Sequence, residues 1–164
     1  MVHADLSHGQ VRIGANKPIT IVLADDQAEV RNALRRALDL DGRFSILAEA
    51  WDGTRALGRV ALLQPDALIL DLAMPNMDGL EALPKIKEAS PHTIVVILSS
   101  MIPFGTAGDE ALALGAAAVF DKHVAPEKLI QCIIEACLEL RDGDRPEGGF
   151  QSDHLEDLEV PPSA

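Results

Sequence analysis

The chain has 164 residues, 48% of them hydrophobic and 24% charged, with a formal net charge of −12. That length holds one domain with a substantial core and is short for two, and the composition is that of a globular protein. The acidic balance argues against a nucleic-acid-binding surface, which needs a basic footprint, and favours cations or basic protein surfaces as partners.

Residues 1–18 are polar, carry Gly9, Gly14 and Pro18, and read as a flexible arm without the apolar core of a signal peptide. Residues 19–24 (ITIVLA) form a β-branched run of buried-strand length that ends on Asp25 and Asp26. Asp26 with Glu29 fits a capping box opening a helix whose apolar face carries Val30, Leu34 and Leu38. Asp41 and Gly42 end it. A second strand is expected over residues 44–48, and Asp52-Gly53 opens a helix carrying Leu57, Val60 and Ala61.

Pro65 turns the chain into a third strand, residues 67–70 (ALIL), which ends on Asp71. A carboxylate there is costly unless a cation or hydrogen bonds offset it. The loop Met74-Pro75-Asn76-Met77 leads to Asp78, which with Glu81 repeats the capping-box spacing for a helix bearing Leu80, Leu83 and Ile86. Pro84 should kink or shorten that helix. Residues 93–98 read as a fourth strand ending on Ser99-Ser100, followed by a loop around Pro103 and Gly105. A short Ala-rich helix capped by Thr106 with Asp109 comes next. Residues 117–120 make a weak fifth strand ending near Asp121-Lys122. Pro126 suits the first turn of a last helix with Leu129, Ile130, Ile133, Ala136, Cys137 and Leu140 on one face. Cys132 and Cys137 point in different directions on that helix and read as reduced packing residues. From residue 141 to 164 Gly, Pro and acidic residues predict a disordered tail, with Leu155, Leu158 and Val160 as a minor docking candidate. No run reaches membrane-spanning length, and a cytoplasmic location without membrane insertion is expected.

Five strand–helix repeats predict an α/β fold: a doubly wound parallel sheet with helices on both faces, occupying residues 19–140. Ligands of such sheets sit outside the carboxyl ends of the strands. This chain places Asp25, Asp26, Asp71, Ser99 and Lys122 there. Three adjacent carboxylates repel, so without a cation at least one pKa should rise. A hard divalent ion such as Mg²⁺ suits few carboxylates, several waters and a phosphate oxygen. Asp71 is then placed to attack phosphorus and form an aspartyl phosphate, with the cation, Lys122 and Ser99 each taking one phosphoryl oxygen.

The strings LADD (23–26), LDLAMPNMDGLE (70–81), VILSS (96–100) and FDK (120–122) resemble the response-regulator receiver domain of two-component signalling. The resemblance covers roughly residues 19 to 140. It implies a five-stranded parallel sheet in the flavodoxin-like order 2-1-3-4-5, for which a member of this family is itself a standard example. It implies Asp71 as phosphoacceptor, with Mg²⁺ (or Mn²⁺) held by Asp25, Asp26, Asp71 and the backbone carbonyl of Ala73. Ser99 would be the switch hydroxyl and Lys122 the phosphate-sensing lysine. The implied partners are a sensor histidine kinase or histidine phosphotransfer protein and a downstream protein target, with a homodimer compatible. With no output domain expected after Leu140, a stand-alone receiver is the reading, not an enzyme beyond phosphotransfer to its own Asp71 and slow autodephosphorylation.

Three positions depart from the commonest pattern. Val119 stands where many receivers carry an aromatic switch residue, with Phe120 one place on and expected to face the other way. His123 follows the lysine where proline is common. Ala73 offers no polar side chain to orient an attacking water, which favours a long-lived phosphoryl group. Taken singly, Asp26 is a helix cap, Ser99 an ordinary strand-end serine and Lys122 a solvated lysine; their joint placement carries the reading. Asp78 and Glu81 read as capping residues, His92 and His123 as surface histidines, and Trp51 as packing. The alternatives are a Mg²⁺-dependent phosphohydrolase working through an aspartyl phosphate and a receiver-like interaction module that is not phosphorylated.

Overall fold

The computed structural model describes residues 17–100 and 106–141. Most of the expected arm, the loop around Pro103 and Gly105, and the acidic tail with Leu155, Leu158 and Val160 lie outside the described residues. Strands β1 (Ile19–Ala24), β2 (Phe44–Ala50), β3 (Ala67–Leu70), β4 (Ile94–Ser99) and β5 (Ala118–Asp121) alternate with helices α1 (Ala28–Asp41), α2 (Gly53–Leu63), α3 (Gly79–Ala89), α4 (Ala107–Ala113) and α5 (Pro126–Arg141). The sheet is parallel throughout, in order β2-β1-β3-β4-β5.

Side-chain alternation along the strands builds two cores. Val22, Ala24, Leu68, Leu70, Val95 and Ile97 pack against α2, α3 and α4. Ile21, Leu23, Ala67, Ile69, Val96 and Leu98 pack against α1 and α5. Because β1 feeds β2 on one side and lies beside β3 on the other, the loops after β1 and β3 diverge and leave a crevice between them. Val119 joins the first core and Phe120 the second, so these neighbours face opposite sides of the sheet, as expected.

Local signals are corrected at several helix ends. The capping box at Asp26 and Glu29 does not form: α1 begins at Ala28, and its N-cap, Gln27, makes no side-chain cap bond. Thr106 occupies the N-cap of α4, also without a side-chain bond. Asp52 and Asp78 do cap their helices, accepting from the amides of Arg55 and Glu81 at 2.8 Å each. Helix α3 runs on past Pro84 to Ala89. Pro84 is exposed, so the carbonyl it leaves unpaired can be served by water. Ala61 and Leu140, expected on core faces, are exposed. Cys132 and Cys137 are not joined in a disulfide, and burial pushes the Cys132 thiol up to about 11. Among the described residues no helix is long and apolar enough to cross a membrane.

Candidate functional site

The carboxyl ends of β1, β3, β4 and β5 bring the expected residues into one crevice. Asp71 continues β3, its amide donating to the Ala24 carbonyl at 2.9 Å, and only 1% of its surface is exposed. Both carboxylate oxygens are engaged. Oδ1 accepts from Ser99 Oγ at 2.9 Å and from the Ala73 amide at 3.2 Å, while Oδ2 accepts from Lys122 Nζ at 3.0 Å. The same ammonium reaches Asp25 Oδ2 at 2.8 Å. Lys122 therefore bridges two buried carboxylates while itself being largely buried.

Asp25 and Asp26, adjacent in sequence, have different fates. The Asp25 amide pairs with the Ala50 carbonyl at 3.0 Å, extending β1 and turning its side chain inward. Its Oδ1 accepts the Gln27 amide at 2.8 Å. Asp26 is exposed at the mouth. Even so, carboxylate oxygens of Asp25, Asp26 and Asp71 all lie within 4.8 Å of one another. Three hard oxygen donors without nitrogen or sulfur at this spacing fit a hard divalent cation such as Mg²⁺ or Mn²⁺.

Electrostatics follow from burial. The Asp25 carboxyl sits above its ordinary range chiefly because burial strips its water; hydrogen bonds from Lys122 and Gln27 pull it back, and the Asp71 charge raises it further. The rise expected from carboxylate repulsion is thus present, with desolvation as its larger cause. Burial pulls the Lys122 ammonium down, but its bonds to Asp25 and Asp71 outweigh that and hold it above the ordinary lysine value.

Two supports went unread in the sequence. Arg31 Nη1 donates to the Asp25 carbonyl at 2.6 Å. Asn76, at φ +66°, donates from Nδ2 to the buried Asp52 carboxylate at 3.2 Å, while the Gly53 amide donates to the Met77 carbonyl at 2.8 Å. These two bonds tie the β3–α3 loop, which carries Ala73, to the start of α2. An alanine at position 53 would drive its Cβ into the Met77 carbonyl. The left-handed backbone at Asn76 is a weak signal for the first bond; nothing in the local pattern marks Arg31. Trp51 is 46% exposed, with the Arg55 guanidinium 4.5 Å over its ring, so it is not the packing residue expected. His123 is exposed and pairs with Asp121, and His92 is exposed as expected.

Fold and crevice together define a doubly wound α/β protein with an acidic cluster and a lysine at its switch point. The response regulator receiver domain model matches residues 21–134, and the chain belongs to that family. It is 34% identical over 116 residues to a protein-glutamate methylesterase/protein-glutamine glutaminase of Anaeromyxobacter dehalogenans, covering 71% of this chain and 33% of the relative. The response regulator domain of Thermotoga maritima CheB superposes with a TM-score of 0.68 at 29% identity, covering 74% of this chain and 97% of that one. The REC domain of AraT, a response regulator from Geobacillus stearothermophilus, gives a TM-score of 0.69 at 26% identity, covering 79% and 100%. The chain spans about a third of the length of the curated relatives it matches.

Proposed function

We propose that Asp71 accepts a phosphoryl group from a sensor histidine kinase or a histidine phosphotransfer protein, with Mg²⁺ or Mn²⁺ held by Asp25, Asp26, Asp71 and the Ala73 backbone carbonyl. The observation that carries this is the convergence of Ser99 Oγ and Lys122 Nζ on the buried Asp71 carboxylate, beside two further carboxylates. One Asp71 oxygen attacks phosphorus. The oxygen–phosphorus bond forms as the phosphorus–nitrogen bond to the donor imidazole breaks, and that nitrogen keeps the electron pair and takes a proton from solvent. The bound cation supplies neutralisation of charge on the phosphoryl oxygens.

Ser99 and Lys122 then exchange their bonds to Asp71 for bonds to phosphoryl oxygens. Each already stands within hydrogen-bond reach of the reacting carboxylate, so little reorganisation is needed. The exchange favours one of two conformations, and the output is altered affinity for a downstream protein or relay to another histidine. The functional unit in this reading is residues 19–140, acting in the cytoplasm, where ATP-dependent phosphodonors are made. The methylesterase and glutaminase activities belong to longer relatives and are no part of the proposal.

The test is incubation with Mg²⁺ and acetyl phosphate followed by intact mass. An adduct of one phosphate, lost in Asp71→Asn, is the expected result. No adduct from the wild-type chain under any condition would refute the acceptor role, and rapid multiple turnover of phosphate esters would favour a hydrolase.

A further inference from the structure

Every polar atom of Asp25 is held. Its amide bonds β2 at Ala50, Oδ1 takes the Gln27 amide, Oδ2 takes Lys122, and its carbonyl takes Arg31 Nη1 at 2.6 Å. The last bond is the unusual one. Helix α1 begins only at Ala28, so the Asp25 carbonyl lies outside the helical ladder, and a guanidinium supplies the missing donor. Arg31 is itself held: its Nε donates to Glu49 Oε2 at 3.2 Å, and its side chain is 14% exposed. Glu49, on β2, is gripped from its other oxygen by Arg35 Nη2 at 2.6 Å. A fork anchored on β2 thus clamps the main chain where the two aspartates leave β1.

We propose that Arg31 is a positioning residue for divalent-cation binding, fixing the backbone at Asp25 so that the Asp25 and Asp26 carboxylates meet the ion at one geometry. The inference rests on the acceptor reading above and adds a residue outside the acidic crevice to it. Groups that orient metal ligands from outside the ligand shell commonly matter about tenfold or more for affinity. The sign of the effect separates positioning from charge. Arg31 is a cation beside a cation site, so on Coulomb grounds alone its removal should tighten Mg²⁺ binding. Positioning demands the opposite.

The experiment is calorimetric titration of the full chain with Mg²⁺ alone, alongside thermal unfolding in EDTA, for wild type, Arg31→Met, Arg31→Lys and Glu49→Gln. The Met variant should bind Mg²⁺ about tenfold more weakly. The Lys variant keeps the charge but lacks the rigid planar fork whose separate nitrogens reach Glu49 and the Asp25 carbonyl, so it should also weaken. Glu49→Gln, which leaves Arg31 in place with a weaker brace, should lose less and guards against a Met variant that fails to fold. A purely structural role would lower the unfolding temperature in EDTA and leave the affinity of the folded protein unchanged. Unchanged or tighter Mg²⁺ binding in the folded Arg31 variants overturns the proposal. Absence of Mg²⁺ binding by the wild-type chain would instead remove the cation from the acceptor reading, and this inference with it.

Discussion

Lys122 Nζ stands 3.0 Å from Asp71 Oδ2, and the contact joins residues 51 apart in sequence across two neighbouring crossovers. Because the same ammonium also serves Asp25, its loss strips two buried carboxylates of their cation at once. Replacing Lys122 with Met should lower stability by about 2 kcal/mol, the scale of a hydrogen bond to a charged group in a protected site. Denaturant unfolding in EDTA measures it. Asp71→Asn should be milder, since it removes one negative charge and leaves Lys122 paired with Asp25. Equal losses in the two variants would contradict the bridging role.

Mg²⁺ should raise the unfolding temperature, because a ligand that binds only the folded chain stabilises it by mass action. At ten times the dissociation constant the gain is about 1.4 kcal/mol. Asp25→Asn and Asp26→Asn should each shrink the shift between Mg²⁺ and EDTA scans. Asp78→Asn, a helix cap away from the cluster, should leave that shift intact.

Acid should weaken the fold partly through Glu49. The Arg35 hydrogen bond holds its carboxyl below the ordinary value near 4.5, with Arg31 adding to this and burial opposing it. A carboxyl depressed in the folded state contributes stability that is complete above its unfolded pKa and lost as pH falls through the lower folded value. Stability should therefore decline below about pH 4.5, and Glu49→Gln should flatten that part of the profile. Denaturant titrations between neutral pH and that acid limb make the comparison.

Gly53→Ala tests a tertiary override. On helix propensity alone the change should stabilise α2, by less than the roughly 1 kcal/mol of a helix interior because Gly53 is the first helical residue. The Met77 carbonyl, however, occupies the space a Cβ needs, so a net loss of about 1–3 kcal/mol is expected. Gly58, on the same helix with open space around it, should show the stabilising sign in the same melts.

Ala73 follows Asp71 by two residues, and its small exposed side chain offers nothing to hold a water for attack on a phosphoryl group. The aspartyl phosphate should be long-lived, and Ala73→Asn should hasten its decay when followed by intact mass. A wild-type half-life of only seconds would contradict this.

The strands were legible because buried parallel strands are written as continuous apolar runs, and β1 and β3 fall where those runs lie. Helix ends were less so. Asp26 and Glu29 satisfy the capping spacing, yet α1 begins at Ala28 with Gln27 at its N-cap, while Asp25, turned inward by pairing with Ala50, takes the Gln27 amide. Trp51, at the end of the second strand, likewise reads as packing, but β2 is an edge strand, and the residue after its end meets solvent and Arg55.

By itself, the sequence determined the order of elements and the chemistry set at each strand end, since periodicity and punctuation act over a few residues. It also placed Asp71, Asp25, Ser99 and Lys122 at the one edge where parallel strands must all finish. Only the tertiary structure decided that Lys122 bridges Asp25 and Asp71, that Asp26 faces solvent, and that Arg31 and Glu49 hold the loop from behind. Those contacts depend on sheet order and register, which bring together groups such as Asp71 and Ser99, 28 residues apart. Their partners are chosen by packing energies summed over the whole core, and no short stretch of the chain carries that sum.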